Sequence, residues 1–325
     1  MTYDEYAAGV KTAPSPPQPA HTALTFRGTG GIVGLDYTSR LAQMTGSREV
    51  PILYPAAMGG IPVGAARDIT APSGQKSLDI AVELASQEIE QSSYTFHLFG
   101  YSLGAIAASK IRASLLPGGR LEAHADRYVC GVMFANPARS FGHTFYLGAN
   151  PGGFGIADWH FPEAAAMWDW CELVDPGDLY GNAPGGEIGE VLRRAYRIVM
   201  DIELSHPIDT TKNLVRSFLK LLDESGVDLP MDIPGIITGA LAGLLRAVLP
   251  AKFADYLRIG DRETAASLQA AILALKFFVD WPPTADHISY EFRDSIPGVT
   301  YLDLGAQHVR HVCGGSTVRR VLRQG

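Results

Sequence analysis

One serine, two aspartates and several late histidines have the types and spacing that acyl transfer needs. Ser102 lies in Gly100-Tyr101-Ser102-Leu103-Gly104, a G-x-S-x-G segment. A serine hydroxyl is a weak nucleophile until a positioned imidazole takes its proton, and the resulting imidazolium needs a carboxylate partner. Where a strand, a tight turn and a helix carry such a serine, the chain order is nucleophile, acid, histidine. Beyond Ser102, the segment Asp175-Pro-Gly-Asp178-Leu-Tyr180 offers two acids in a turn-rich stretch, and pattern alone divides evenly between them. The histidines after it are His206, His287, His308 and His311. His206 precedes Pro207 and reads as the end of a helix. His308 and His311 lie among arginines in a tail that reads as solvent-facing. His287 follows a rigid Trp281-Pro-Pro turn, which returns the chain to the sheet edge, so it ranks first and His308 second. His143 and His160 precede both acids and read as loop or substrate-contact residues.

The elements around these residues have to hold them. Tyr94 to Phe99 alternates and is aromatic-rich, as a strand is, and Ala105 to Leu116 is an Ala-rich amphipathic run that suits a helix. The serine between them then stands at the positive end of a helix. Upstream, the apolar run Ala23 to Phe26 feeds Arg27-Gly-Thr-Gly-Gly31. Such a turn brings backbone N–H groups to the sheet edge, so the oxyanion donors are expected to be the N–H of Leu103 and that of Thr29. A phosphate cradle is disfavoured, because the Walker lysine and the G-x-G-x-x-G spacing are missing. Val50 to Tyr54, Tyr128 to Ala135 and Trp168 to Val174 read as further strands. Ser77 to Ile89 and Ile188 to Glu203 have helical spacing, and Ile32 to Gly46 reads as a helix-containing loop. This alternation predicts an α/β fold with a mostly parallel sheet covered on both faces. From Ser205 to Asp280 no strand signal occurs. Asn213 to Leu222, Pro234 to Leu249 and Thr264 to Val279 read as helices of an insertion over about residues 205–280. Val299 to Leu304 reads as a last edge strand.

Composition narrows the class. In 325 residues, 46% are hydrophobic and 19% charged, ordinary for a chain with a sizeable core. A net charge of −7 leaves no basic face for nucleic acid. Cys130, Cys171 and Cys313 are odd in number and widely spaced, which suits buried thiols rather than a disulfide framework or a zinc cluster. No metal or other cofactor is expected. Residues 1–20 form a Pro-rich arm without the apolar core of a signal peptide, and residues 21–325 are expected to be the globular domain. Ile233 to Leu249 is broken by Pro234 and carries Arg246, short of the roughly twenty apolar residues of a membrane span. The chain is expected to be soluble.

Taken in order, Gly28-Thr29-Gly30, Tyr54-Pro55-Ala56, Gly100-Tyr101-Ser102-Leu103-Gly104-Ala105, Asn136-Pro137-Ala138-Arg139, Gly177-Asp178-Leu179-Tyr180, Arg197-Ile198-Val199-Met200 and a late Trp-Pro…His resemble the lysin B family of mycobacteriophages. The resemblance covers about residues 22–292. It implies a cutinase-like α/β-hydrolase core with a helical insertion before the histidine, Asp178 as the acid and His287 as the base. It also implies a serine esterase that cleaves mycolic acids from arabinogalactan in the mycobacterial envelope. Such an enzyme would be made in the host cytoplasm without a signal peptide and would reach this lipid ester once lysis begins. Two residues depart from the family. Leu103 stands where Gln usually follows the nucleophile, and Arg27 stands where the turn often opens with His. The tail after about Gly298 has no counterpart, and no separate peptidoglycan-binding module is evident. Other expectations for the same residues are a general cutinase or lipase, and a non-catalytic envelope-binding protein on a hydrolase scaffold.

Overall fold

The computed structural model describes residues 21–59, 65, 68, 70–142, 144, 152–162, 168–201 and 285–323. The Pro-rich arm, the helices expected within 205–280, the Trp281-Pro-Pro turn, His143 and His206 lie outside the described residues.

Five strands form one parallel sheet: β1 (Thr22–Phe26), β2 (Arg48–Pro51), β3 (Phe96–Tyr101), β4 (Tyr128–Phe134) and β5 (Trp170–Leu173), in the order β2-β1-β3-β4-β5. Parallel sheets are buried on both faces, so their strands read as near-continuous apolar runs, as Thr22–Phe26 and Phe96–Tyr101 do here. Leu24, Phe26, Phe96, Leu98, Met133 and Trp170 point to one face. There they meet α2 (Gly74–Gln91), α3 (Leu103–Ser114) and α4 (Gly186–Asp201) through Leu78, Ala85, Ile106, Ile111, Leu192 and Tyr196. The alternate residues Ala23, Phe99, Val132, Phe134 and Leu173 point to the other face, which α1 (Tyr37–Thr45) covers through Leu41 and Ala42. Each fully buried Leu, Ile or Phe contributes roughly 1.5–3 kcal/mol, so this three-layer packing carries the stability of the sheet edge above it.

The C-terminal region differs from the sequence expectation. Val299 and Thr300 do not extend the main sheet. As β7 (Val299–Thr300) they pair antiparallel with β6 (Asp294–Ile296) in a separate hairpin, turned at Gly298 with φ 78°. Tyr301 then opens α6 (Tyr301–Arg323), which packs on β4 and β5. Leu304, Val309 and Val312 are buried in the second-face core, on one broad side of the helix. His308 is therefore buried rather than solvent-facing, whereas His311 is exposed as expected.

Candidate active site

The elbow forms because β3 runs straight into α3 with one residue between them. That residue, Ser102, takes φ 54° and ψ −122°, a region that L side chains rarely occupy and that stores on the order of 1–3 kcal/mol. Its N–H donates to the Phe134 carbonyl at 3.0 Å, and its carbonyl accepts from Ala105 N–H at 2.9 Å. The strained residue is thus held by β4 on one side and by the first turn of α3 on the other. Gly104 is required because a Cβ there would run into the carbonyl oxygens of Phe26 and Arg27.

Ser102 Oγ lies 2.9 Å from His287 Nε2, and His287 Nδ1 lies 3.0 Å from both carboxylate oxygens of Asp178. Asp178 is completely buried. Its Oδ1 also accepts the Tyr180 N–H at 3.0 Å, and its Oδ2 accepts the Tyr290 hydroxyl at 2.6 Å. Asp175, equal to Asp178 on sequence pattern, is set aside: its Oδ2 pairs with Arg293 at 3.0 Å and its Oδ1 takes the Gly177 N–H at 2.8 Å. Burial raises the Asp175 carboxyl above its ordinary value, against the lowering effect of the Gly177 and Arg293 contacts. His308 takes no part. It sits on α6 with a hydrogen bond to the Asp169 backbone, and burial pushes its imidazole down to about 4. His160 Nε2 bonds the Gly155 carbonyl at 2.8 Å, as a loop residue does.

His287 is clamped by aromatic rings. Tyr101 stacks on it at 5.3 Å and donates its hydroxyl to the His287 carbonyl at 2.9 Å, while Tyr180 tilts against it at 4.6 Å. Burial holds both phenols above the ordinary tyrosine value, so they stay neutral.

The Gly28–Gly31 turn lies against the elbow: a Cβ on Gly28 would come 3.4 Å from Ser102 Cβ and 2.5 Å from the Tyr101 ring. Three of its N–H groups are spent. Gly28 donates to Asp36 Oδ2 at 3.0 Å, Gly30 to the Ala56 carbonyl at 2.8 Å, and Gly31 to the Gly28 carbonyl at 2.9 Å. Among the described residues, the Thr29 N–H meets no protein acceptor, and neither does the N–H of Leu103, an end-of-helix donor. Leu103 and Thr29 are the two residues from which the sequence reading expects oxyanion donors.

Several supporting residues gave little signal in the sequence. Asp36 caps α1 by accepting the Thr38 N–H at 3.1 Å while gripping the turn, and burial raises its carboxyl. Arg27, the departure from the resembled pattern, also braces the turn. Its guanidinium donates to the carbonyls of Gly31, Ile52 and Tyr54, and Tyr54 returns its hydroxyl to the Arg27 carbonyl. Arg139, fully buried, ties the Gly153 and Gly181 carbonyls together at 2.7 Å each and so anchors the loop that follows Asp178. An Asp before a helix is a recognisable cap, but its second bond to a turn eight residues upstream is a tertiary fact.

No family model and no curated protein matches the sequence. Among solved structures, lysin B from Mycobacteriophage D29 superposes with a TM-score of 0.50 at 20% identity, over 90% of this chain and 99% of that one. The fold is an α/β-hydrolase fold. The catalytic core domain of acetyl xylan esterase from Trichoderma reesei matches over 55% of this chain and 94% of its own (TM-score 0.36, 18% identity). A cutinase-like protein from Cryptococcus sp. matches over 53% and 82% (TM-score 0.39, 16% identity). Among the described residues no group of three or more His, Cys, Asp or Glu could hold a metal ion, and no helix is long and apolar enough to cross a membrane.

Proposed function

We propose that the chain is a serine esterase that works through Ser102, His287 and Asp178 and an acyl-enzyme. The observation that carries this reading is the continuous hydrogen-bond line from Ser102 Oγ through the His287 ring to Asp178. Ser102 Oγ attacks the ester carbonyl carbon and gives its proton to His287 Nε2. Asp178 stabilises the imidazolium without taking the proton. The Leu103 and Thr29 N–H groups bind the tetrahedral oxyanion. Collapse of that intermediate breaks the carbon–oxygen bond to the alcohol, which leaves with the proton from His287. A water molecule then attacks the acyl-enzyme, His287 accepts its proton, and release of the acid restores the serine.

Apolar side chains beside the site favour a lipid acyl group. Ile32, Val33 and Leu35 follow the Gly28–Gly31 turn, Ile288 and Phe292 follow His287, and all five are exposed. The Tyr37 hydroxyl bonds the Ile288 carbonyl and Arg40 pairs with Glu291, so the two segments lie side by side. An apolar lip of this kind suits long acyl chains. Together with the ordered motif resemblance, it favours the ester between mycolic acids and arabinogalactan as substrate, in the manner of a phage lysin B. Mycolic acid released from purified mycolyl-arabinogalactan, measured against hydrolysis of a cutin polyester, tests this. A strong preference for the former is expected. Comparable rates on both would mean a general carboxylesterase. Envelope binding without fluorophosphonate labelling of Ser102 would mean a non-catalytic protein.

A further inference from the structure

We propose that Tyr290 is a positioning residue that sets the basicity of His287 through Asp178. The inference rests on the esterase reading above and concerns how its acid is tuned.

Tyr290 is 1% exposed and donates its hydroxyl to Asp178 Oδ2 at 2.6 Å, while its oxygen accepts the Asp175 N–H at 3.0 Å. The phenol is therefore fixed from both sides, by the acid it supports and by the backbone at the start of the acid loop. Its ring is wedged among Tyr37, Phe134 and Tyr301, with centroids 6.3, 6.1 and 5.0 Å away. Burial and the neighbouring Asp178 hold the phenol well above its ordinary value, so it stays a neutral donor throughout the working pH range. Among the described residues, no Lys or Arg side chain hydrogen-bonds the Asp178 carboxylate. Among the described residues its hydrogen-bond partners are the His287 ring, the Tyr180 N–H and the Tyr290 hydroxyl. Arg293 is engaged by Asp175 and Asp286, and the buried Arg139 acts on Asp178 only through space.

A hydroxyl donor on Oδ2 has two effects. It fixes the plane of the carboxylate, so that both oxygens stay 3.0 Å from His287 Nδ1. It also withdraws negative charge from the oxygen that faces the imidazolium, so removing this donor should strengthen the hold of the carboxylate on a proton at His287. Among the described residues, the groups facing His287 include the Asp178 carboxylate, the Ser102 hydroxyl and the neutral Tyr101 and Tyr180 rings. Around Tyr290 stand Tyr37, Tyr301, Asp175 and, through space, the buried Arg139.

The test uses the full chain and p-nitrophenyl butyrate, with Tyr290→Phe, a Tyr290 to 3-fluorotyrosine replacement, Tyr301→Phe as a same-cluster control, and Ser102→Ala. In Tyr290→Phe, kcat should fall about tenfold to a hundredfold with KM little changed, the size expected for one hydrogen bond to a charged group. The acid limb of the kcat/KM profile should move to higher pH. The more acidic fluorophenol, a near-isostere that preserves packing, should move that limb to lower pH. Tyr301→Phe should leave both unmoved. Proton NMR of the His287 Nδ1–H against pH reads the same shifts without turnover. An unmoved acid limb and an unmoved His287 titration in both Tyr290 variants would overturn the proposal, even with Ser102→Ala inactive and the esterase reading intact. Conversely, Ser102→Ala as active as the wild type would remove the esterase reading, while the NMR titration would still judge the link from Tyr290 to His287.

Discussion

His287 Nε2 lies 2.9 Å from Ser102 Oγ although 185 positions separate the two residues. The contact depends on two distant segments being braced toward one sheet edge: β3 with its strained elbow, and α5 (Ala285–Ile288), which carries the imidazole. The Tyr101 hydroxyl on the His287 carbonyl links those segments directly.

The two aspartates of the acid loop should behave differently. Asp178→Asn is expected to lower kcat by about 10⁴, as for a triad carboxylate whose loss leaves the wrong imidazole tautomer. Asp175→Asn is expected to keep kcat within about tenfold of the wild type and to lower the melting temperature, because Arg293 loses a partner. Steady-state kinetics and a thermal melt on both variants check this, and equal kinetic losses would count against the assignment.

Backbone strain at Ser102 predicts a trade between activity and stability. Ser102→Gly relieves the φ of 54°, so it should be inactive yet more stable than Ser102→Ala by about 1 kcal/mol. Chemical denaturation of the two variants reads the difference, and a Gly variant no more stable than the Ala variant would show that the elbow is unstrained.

Asp36 ties α1 to the Gly28–Gly31 turn. Asp36→Ala removes a helix cap, costing about 1 kcal/mol, and also frees the Gly28 N–H. A fall in kcat of about tenfold or more with KM nearly unchanged is expected, since an oxyanion donor acts mainly in the transition state. A stability loss with kcat intact would mean that Asp36 only caps its helix.

Buried histidines make the fold acid-sensitive. Burial pushes His97 down to about 3 and His308 down to about 4 from 6.5. Above pH 6.5 each is neutral whether folded or unfolded. As the pH falls below 6.5, the unfolded chain takes up protons that the folded protein refuses, so stability is lost, with a slope approaching ~1.4 kcal/mol per pH unit for each histidine. Glu172 acts in the opposite sense. Burial raises it from 4.5 to about 7, so its contribution declines as the pH rises through that window. Denaturant midpoints between pH 4.5 and 6.5 should therefore show a flatter pH dependence for His97→Gln and a steeper one for Glu172→Gln than for the wild type. Parallel curves for all three proteins would refute the assignment.

The sequence exposes the local parts of this site and hides the tertiary ones. A strand, G-x-S-x-G and a helix are contiguous, so the elbow can be read from residues 94–116, although α3 begins at Leu103, two residues before the apolar run suggests. The order of acid and histidine narrows the choice to a few residues. Pattern could not separate Asp175 from Asp178, because what distinguishes them is Arg293, which lies 118 positions from Asp175. Tyr290 is similarly silent: it follows His287 by three residues, but its hydroxyl matters only because the acid loop folds back over it. The tail is hard to read because Val299 and Thr300 suit a strand, while Leu304, Val309 and Val312 become meaningful as a buried helix face only against the sheet face they cover.

Turnover of p-nitrophenyl butyrate by the wild type and Ser102→Ala, combined with mass spectrometry of the fluorophosphonate-treated wild type, tests the role of Ser102 most directly. A loss in kcat of at least about 10⁴ in the variant, with a single adduct on Ser102 in the wild type, is the expected result. An undiminished rate in Ser102→Ala, or an adduct on another residue, would contradict it.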